Sequence, residues 1–222
     1  MQNEKITIIA GHYGSGKTTF AVNYAMALKA EHERVALCDM DIVNPYFRTA
    51  DHARVLADAG VELVSSPFAN TNVEMPWAPV EARRVFDDAT LRSVVDLGGD
   101  DRGALALGRY AGRIAARGNV DVWMVVNPYR PLSRSADELR EIQLEIEGAC
   151  KLRFTGLVCN PNIGEDTTPA HVSDCFPLMR DISAAFGLPV VMTAMQRGIE
   201  VAVPPELGER FELVCYENRF GF

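Results

Sequence analysis

The stretch GHYGSGKT at residues 11–18 constrains the fold more than any other part of the chain. It fits the pattern G-x-x-x-x-G-K-[ST], with a further hydroxyl behind it at Thr19. Gly11, Gly14 and Gly16 allow a tight turn whose backbone N–H groups can close around anionic oxygens, with His12, Tyr13 and Ser15 between them. A helix starting directly behind the loop adds its positive end to that nest. Lys17 supplies a point charge for the β- and γ-phosphates of a nucleotide, and the Thr18 hydroxyl a ligand for Mg²⁺. The flanks agree with the motif. Residues 6–10 (ITIIA) are apolar and β-branched, as in a buried parallel strand, and Phe20, Tyr24 and Leu28 recur every four residues on one helix face.

Composition narrows the class. A chain of 222 residues suits a single domain over 1–222, and 48% hydrophobic residues are enough for a full core. The net charge of −8 argues against a general nucleic-acid or anionic-membrane surface, although Arg130, Arg134 and Arg140 lie close in sequence and could make a local basic patch. No secretory signal and no apolar run of membrane-spanning length is visible. The five cysteines (Cys38, Cys150, Cys159, Cys175, Cys215) are scattered and form no C-x-x-C pair. Reduced thiols in a cytoplasmic protein are therefore expected, not a disulfide frame or a thiolate zinc site.

Further acidic groups fall where the phosphate loop would need them. A second strand runs into CDMDIVNPYFR, which sets Asp39 and Asp41 at its carboxyl end, the ligand-binding edge of an open parallel sheet. Carboxylates there can hold the waters of Mg²⁺ or orient an attacking water. Another apolar strand ends in Asp96, followed by Leu97-Gly98-Gly99. The D-x-x-G form lets Asp96 act on Mg²⁺ or its water while Gly99 offers a backbone N–H to the γ-phosphate. Arg48 could reach phosphate. The proline-punctuated loop at 66–79, with Trp77, is a candidate for substrate or partner contact, or a cover for the sheet edge. Further strands are expected at 120–126, 154–159 and 188–192, and helices at 80–88, 105–117 and, behind Ser135 and Glu138 as a capping box, from 136. Thr168-Pro169 starts a helix that Pro177 interrupts, and residues 193–222 follow no clear pattern.

Together the phosphate loop, the D-M-D at residues 39–41, the D-x-x-G loop and Asn160 resemble the partition and septum-site (ParA/MinD-like) ATPase superfamily. This superfamily is related to the nitrogenase iron protein and dethiobiotin synthetase. The resemblance covers residues 5–192 in order of elements. It implies an α/β, three-layer P-loop NTPase fold, a mostly parallel sheet of about seven strands with helices on both faces. By the same resemblance Asp41 positions the hydrolytic water, Asp39 supports it, Asp96 is linked to Mg²⁺, and Asn160 hydrogen-bonds the purine. Neither Asn127 nor Asn160 begins the guanine-reading N-K-x-D, since each is followed by proline. ATP with Mg²⁺ is the expected ligand. His12 stands where the partition ATPases carry a signature lysine that reaches the partner subunit's nucleotide, so a homodimer is compatible with the resemblance but its cross-subunit contact is not carried over.

Two functions remain open on these residues. One is a slow MgATPase whose loops at 39–48 and 96–102 present different surfaces to a protein partner with ATP and with ADP. The other is an enzyme of the dethiobiotin-synthetase type that phosphorylates a small carboxylate or carbamate, with Arg48 and the 66–79 loop on the substrate. A metallochaperone GTPase would want Cys/His pairs near the switch loops, where only Cys38 lies close.

Overall fold

The computed structural model describes residues 4–41, 52–65, 82–99 and 101–215. Arg48 and its neighbours Tyr46 and Phe47, the 66–79 loop with Trp77, and Asp100 lie outside the described residues. The described strands are β1 (Ile6–Ala10), β2 (Val35–Met40), β3 (Glu62–Val64), β4 (Arg92–Leu97), β5 (Val120–Val126), β6 (Gly156–Cys159), β7 (Val190–Gln196) and β8 (Glu209–Leu213). They pair in parallel in the order β3-β2-β4-β1-β5-β6-β7-β8. The helices are α1 (Lys17–Lys29), α2 (Ala53–Asp58), α3 (Ala82–Asp87), α4 (Asp101–Gly108), α5 (Ala111–Arg117), α6 (Ala136–Cys150), α7 (Pro169–Asp174) and α8 (Phe176–Phe186).

Two apolar clusters sandwich the sheet, because alternate strand residues point to opposite faces. On one face Ile9, Leu37, Val94, Trp123 and Val125 pack with Phe20, Tyr24 and Leu28 of α1 and Leu56 of α2. On the other, Ile8, Met40, Val95, Met124 and Leu157 meet residues of α3 to α8, among them Phe86, Leu107, Ile114, Leu139, Val172 and Met179. The central strands are buried along their whole length, which explains their continuous apolar runs. Trp123 stacks at a tilt on Tyr24, with ring centroids 5.2 Å apart.

Two local features depart from the sequence reading, and a third, the break before Pro177, follows it. The helix expected at 105–117 is two helices. It begins four residues earlier, and it breaks where Gly108 closes on α6, since a Cβ there would sit 2.6 Å from the Ala149 carbonyl. Tyr110 then turns the chain onto Phe86, with ring centroids 4.8 Å apart. The helix after Thr168 stops at Asp174 and restarts at Phe176 just before Pro177, as the proline requires. The C-terminal part supplies an eighth strand. In β8 only Leu213 is buried, so it has the polar character of an edge strand and no apolar run to betray it.

That edge is fastened to the helix behind the phosphate loop. The Asn23 side chain donates to the Val214 carbonyl at 3.0 Å and accepts from its N–H at 2.9 Å. Phe211 packs edge-on against Phe20 at 5.3 Å. Asn23→Ala removes both backbone bonds and leaves their partners poorly solvated. It should lower unfolding stability by roughly 1–3 kcal/mol in urea titration, and a loss under about 0.5 kcal/mol would contradict the role of this clamp.

Candidate functional site

Strand order decides where the site lies. Because β1 sits between β4 and β5 and all described strands run parallel, the carboxyl ends of β1, β2, β4, β5 and β6 lie along one sheet edge. Directly after β1, Gly11 adopts φ 153° against β5, where a Cβ would come within 2.6 Å of the Val125 carbonyl. The chain then turns, with the Ser15 N–H donating to the His12 carbonyl at 3.1 Å and Gly14 at φ 76°. Gly16, also left-handed at φ 84°, caps α1, which opens on Lys17 and Thr18. Gly99 abuts this turn, since its Cβ would lie 2.9 Å from the Tyr13 nitrogen. The loop is formed in the way its glycine spacing predicts.

The charged groups gather here too. Lys17 is buried and its Nζ stands 3.5 Å from Asp41 Oδ2. Asp39 Oδ1 accepts from the Asp41 N–H at 3.0 Å. Asp39 and Asp96 are directly paired in the β2–β4 register, and both are buried. Burial above all, then the charges of Asp39 and Asp96, push the Cys38 thiol far above its ordinary range, as for a thiol of the core. All five cysteines are free, and only Cys215 is exposed.

Carboxylates thus stand beside the lysine at this edge. A phosphate chain at this loop therefore calls for a divalent ion, and hard carboxylate and hydroxyl oxygens suit Mg²⁺. Among the described residues no three His, Cys, Asp or Glu side chains converge as a metal cage. Inside the loop the buried Ser15 hydroxyl has no hydrogen-bond partner among the described residues, a donor that a phosphate oxygen would satisfy.

Two asparagines and an arginine brace the loop from behind. Asn160, at the end of β6, is buried and donates from Nδ2 to the Ser15 carbonyl at 2.7 Å. This close approach depends on Gly16, because a Cβ there would overlap the Asn160 amide. Asn127 holds the neighbouring loop, donating to the Asn162 carbonyl at 2.8 Å and accepting from the Tyr129 N–H at 3.1 Å. Arg130 donates to the Gly14 carbonyl. In sequence Arg130 stands close to Arg134 and Arg140, and nothing in the spacing separates them. Arg140 instead lies over the Phe186 ring at 4.3 Å. His171, whose Nδ1 accepts from the Thr168 N–H at 3.1 Å, caps α7 and stays out of the site. His12 keeps its ring Nδ1 3.2 Å from the Tyr13 carbonyl, and Tyr13 is 61% exposed.

Comparison with known proteins bears on the family and the fold. The family model described as the CobQ/CobB/MinD/ParA nucleotide binding domain matches residues 6–202. No curated protein matches the chain significantly. Among solved structures, the cell division protein FtsY of Thermotoga maritima superposes with a TM-score of 0.59 at 14% identity, over 93% of this chain and 67% of that one. FtsY of Mycoplasma mycoides gives 0.53 at 16% identity, over 87% of this chain and 60% of its own. The chain thus spans about 60% of the length of the Mycoplasma protein, and likeness at these identities is a likeness of fold.

Asn160→Ala tests whether the loop depends on its brace. Inorganic pyrophosphate has no base, so its affinity reads the loop alone. The substitution should weaken pyrophosphate binding, measured by calorimetry with Mg²⁺, by about tenfold, the worth of one buried hydrogen bond. Unchanged pyrophosphate affinity would reduce Asn160 to a base contact.

Proposed function

Because the chain belongs to the CobQ/CobB/MinD/ParA nucleotide-binding domain family, we propose that it is a Mg²⁺-dependent ATP-binding protein, one domain over residues 1–222, that hydrolyses ATP slowly as a switch for a partner protein. The observation that carries this reading is the 3.5 Å contact between Lys17 of the loop and Asp41 at the end of β2. Phosphate and Asp41 compete for one ammonium, so nucleotide binding is felt directly where the segment after β2 begins.

In the working state Lys17 turns from Asp41 to the β- and γ-phosphate oxygens, and the backbone amides of the loop and of the first turn of α1 hold the rest. Thr18, with Asp39 or Asp96, would hold Mg²⁺, which when bound would offset phosphate charge. Asp41, released from Lys17, accepts a hydrogen bond from a water and aligns it with the γ-phosphorus. The water oxygen forms the new P–O bond, the bridging oxygen leaves with ADP, and the water's proton passes to solvent or phosphate. Gly99 offers its N–H to the same phosphate.

ATP is preferred over GTP on two grounds. The N-K-x-D spacing is not present, and the Asn127 amide is committed to backbone groups. The Ser15 carbonyl can be met only by the NH₂ end of Asn160, which leaves Oδ1 as an acceptor suited to the 6-amino group of adenine. Free thiols at all five cysteines support a cytoplasmic setting, and among the described residues no helix is long and apolar enough to cross a membrane.

Lys17→Ala should abolish MgATP turnover, and Asp41→Ala should keep nucleotide binding while slowing hydrolysis by about a hundredfold or more. Phosphate release and calorimetry on both variants check this, and wild-type turnover in both would sink the assignment. Light scattering tests self-association. A mass increase with Mg²⁺ and a non-hydrolysable ATP analogue, but not with ADP, is expected if the switch works as a homodimer, with His12 in place of the family's lysine.

A further inference from the structure

Arg130 stands on the outer flank of the phosphate-binding loop. Its Nε donates to the Gly14 carbonyl at 3.1 Å from 116 residues away in sequence. The guanidinium lies over Gly14 so closely that a Cβ there would meet Nε at 3.6 Å and Cζ at 3.9 Å. Arg130 is itself placed by a turn, its N–H donating to the Asn127 carbonyl at 3.0 Å, and Asn127 is anchored in turn to Asn162 and Tyr129. Among the described residues the two terminal nitrogens of Arg130 make no hydrogen bond. This side chain is exposed, yet its charge is directed at one peptide group of the loop.

That peptide group belongs to a particular end of the loop. The turn closed by the Ser15 N–H and the His12 carbonyl carries Gly14 and packs against Gly99. The other end is the start of α1, where Lys17 and Thr18 lie. A third phosphate that reached from α1 towards Gly99 and Asp41 would lie along the turn, and a diphosphate at the start of α1 would need less from it. Lys17 is already faced by Asp41, so Arg130 is the second positive charge that the described structure brings to the loop.

We propose that Arg130 is a positioning residue for the terminal phosphate: it fixes the 12–15 turn through the Gly14 carbonyl and adds its charge to that end of the loop. The assignment rests on the nucleotide-binding reading. It implies that Arg130 separates triphosphate from diphosphate, and so sets how strongly ATP and ADP differ in their hold on the loop.

The test is calorimetric titration with MgADP and with a Mg²⁺-bound non-hydrolysable ATP analogue, on the wild type, Arg130→Gln and Arg130→Lys, with Lys17→Ala as the control. Glutamine can still donate to the carbonyl but carries no charge. It should weaken the analogue by about tenfold, the scale of one charge-assisted hydrogen bond, and ADP by less than about twofold. Lysine should restore analogue binding to within about threefold of wild type. Equal loss for both nucleotides, no loss, or a lysine variant no better than glutamine would each overturn the proposal. A wild type that binds neither nucleotide, or a Lys17→Ala variant that binds both normally, would overturn the nucleotide reading instead.

Discussion

An ammonium and a carboxylate held 3.5 Å apart and nearly out of reach of solvent, as Lys17 and Asp41 are, set the terms for the rest of the molecule. At an effective dielectric of 20 their attraction is roughly 4–5 kcal/mol, while taking each ion out of water costs several kcal/mol. The pair is therefore not a net source of stability. It persists because the fold of the sheet edge brings the two groups together. β2 ends at Met40 and delivers Asp41, β1 delivers the glycine loop, and α1 begins on Lys17 itself. Fold stability comes from the two apolar layers, and the sheet edge holds the charged groups that meet a ligand.

The sequence made much of this legible for a simple reason. Phosphate binding by backbone amides needs glycine at fixed intervals, then lysine, then a hydroxyl, and few other uses demand that order. Asp39, Asp41 and Asp96 were readable because buried parallel strands announce themselves as apolar runs, and their carboxyl ends therefore have an address. The eighth strand was not. Glu209–Leu213 lies at an edge, buries one side chain, and follows two prolines, so it carries no periodic mark. The break at Gly108 was equally silent, since it answers to a carbonyl on α6.

Within the site, the least legible part was the bracing. That Asn160 would follow an apolar strand was plain, but its bond to Ser15 spans 145 residues, and Arg130 reaches Gly14 over 116. No spacing rule connects such pairs, and only the strand order brings β5 beside β1 and β6 next after it. The loop's inner surface is written locally. Its outer support is a product of topology.

The packing of Trp123 against Tyr24 has a consequence for observing the molecule at work. Tyr24 is two turns along the helix that begins at Lys17, and the indole on β5 sits beneath it in the same apolar layer. Light emitted by that indole is therefore sensitive to any tilt or slide of α1 over the sheet. The chain's other tryptophan, Trp77, is far from it in sequence. With Trp77 replaced by phenylalanine, fluorescence becomes an internal gauge of how the phosphate loop's own helix settles, read in real time and without a label.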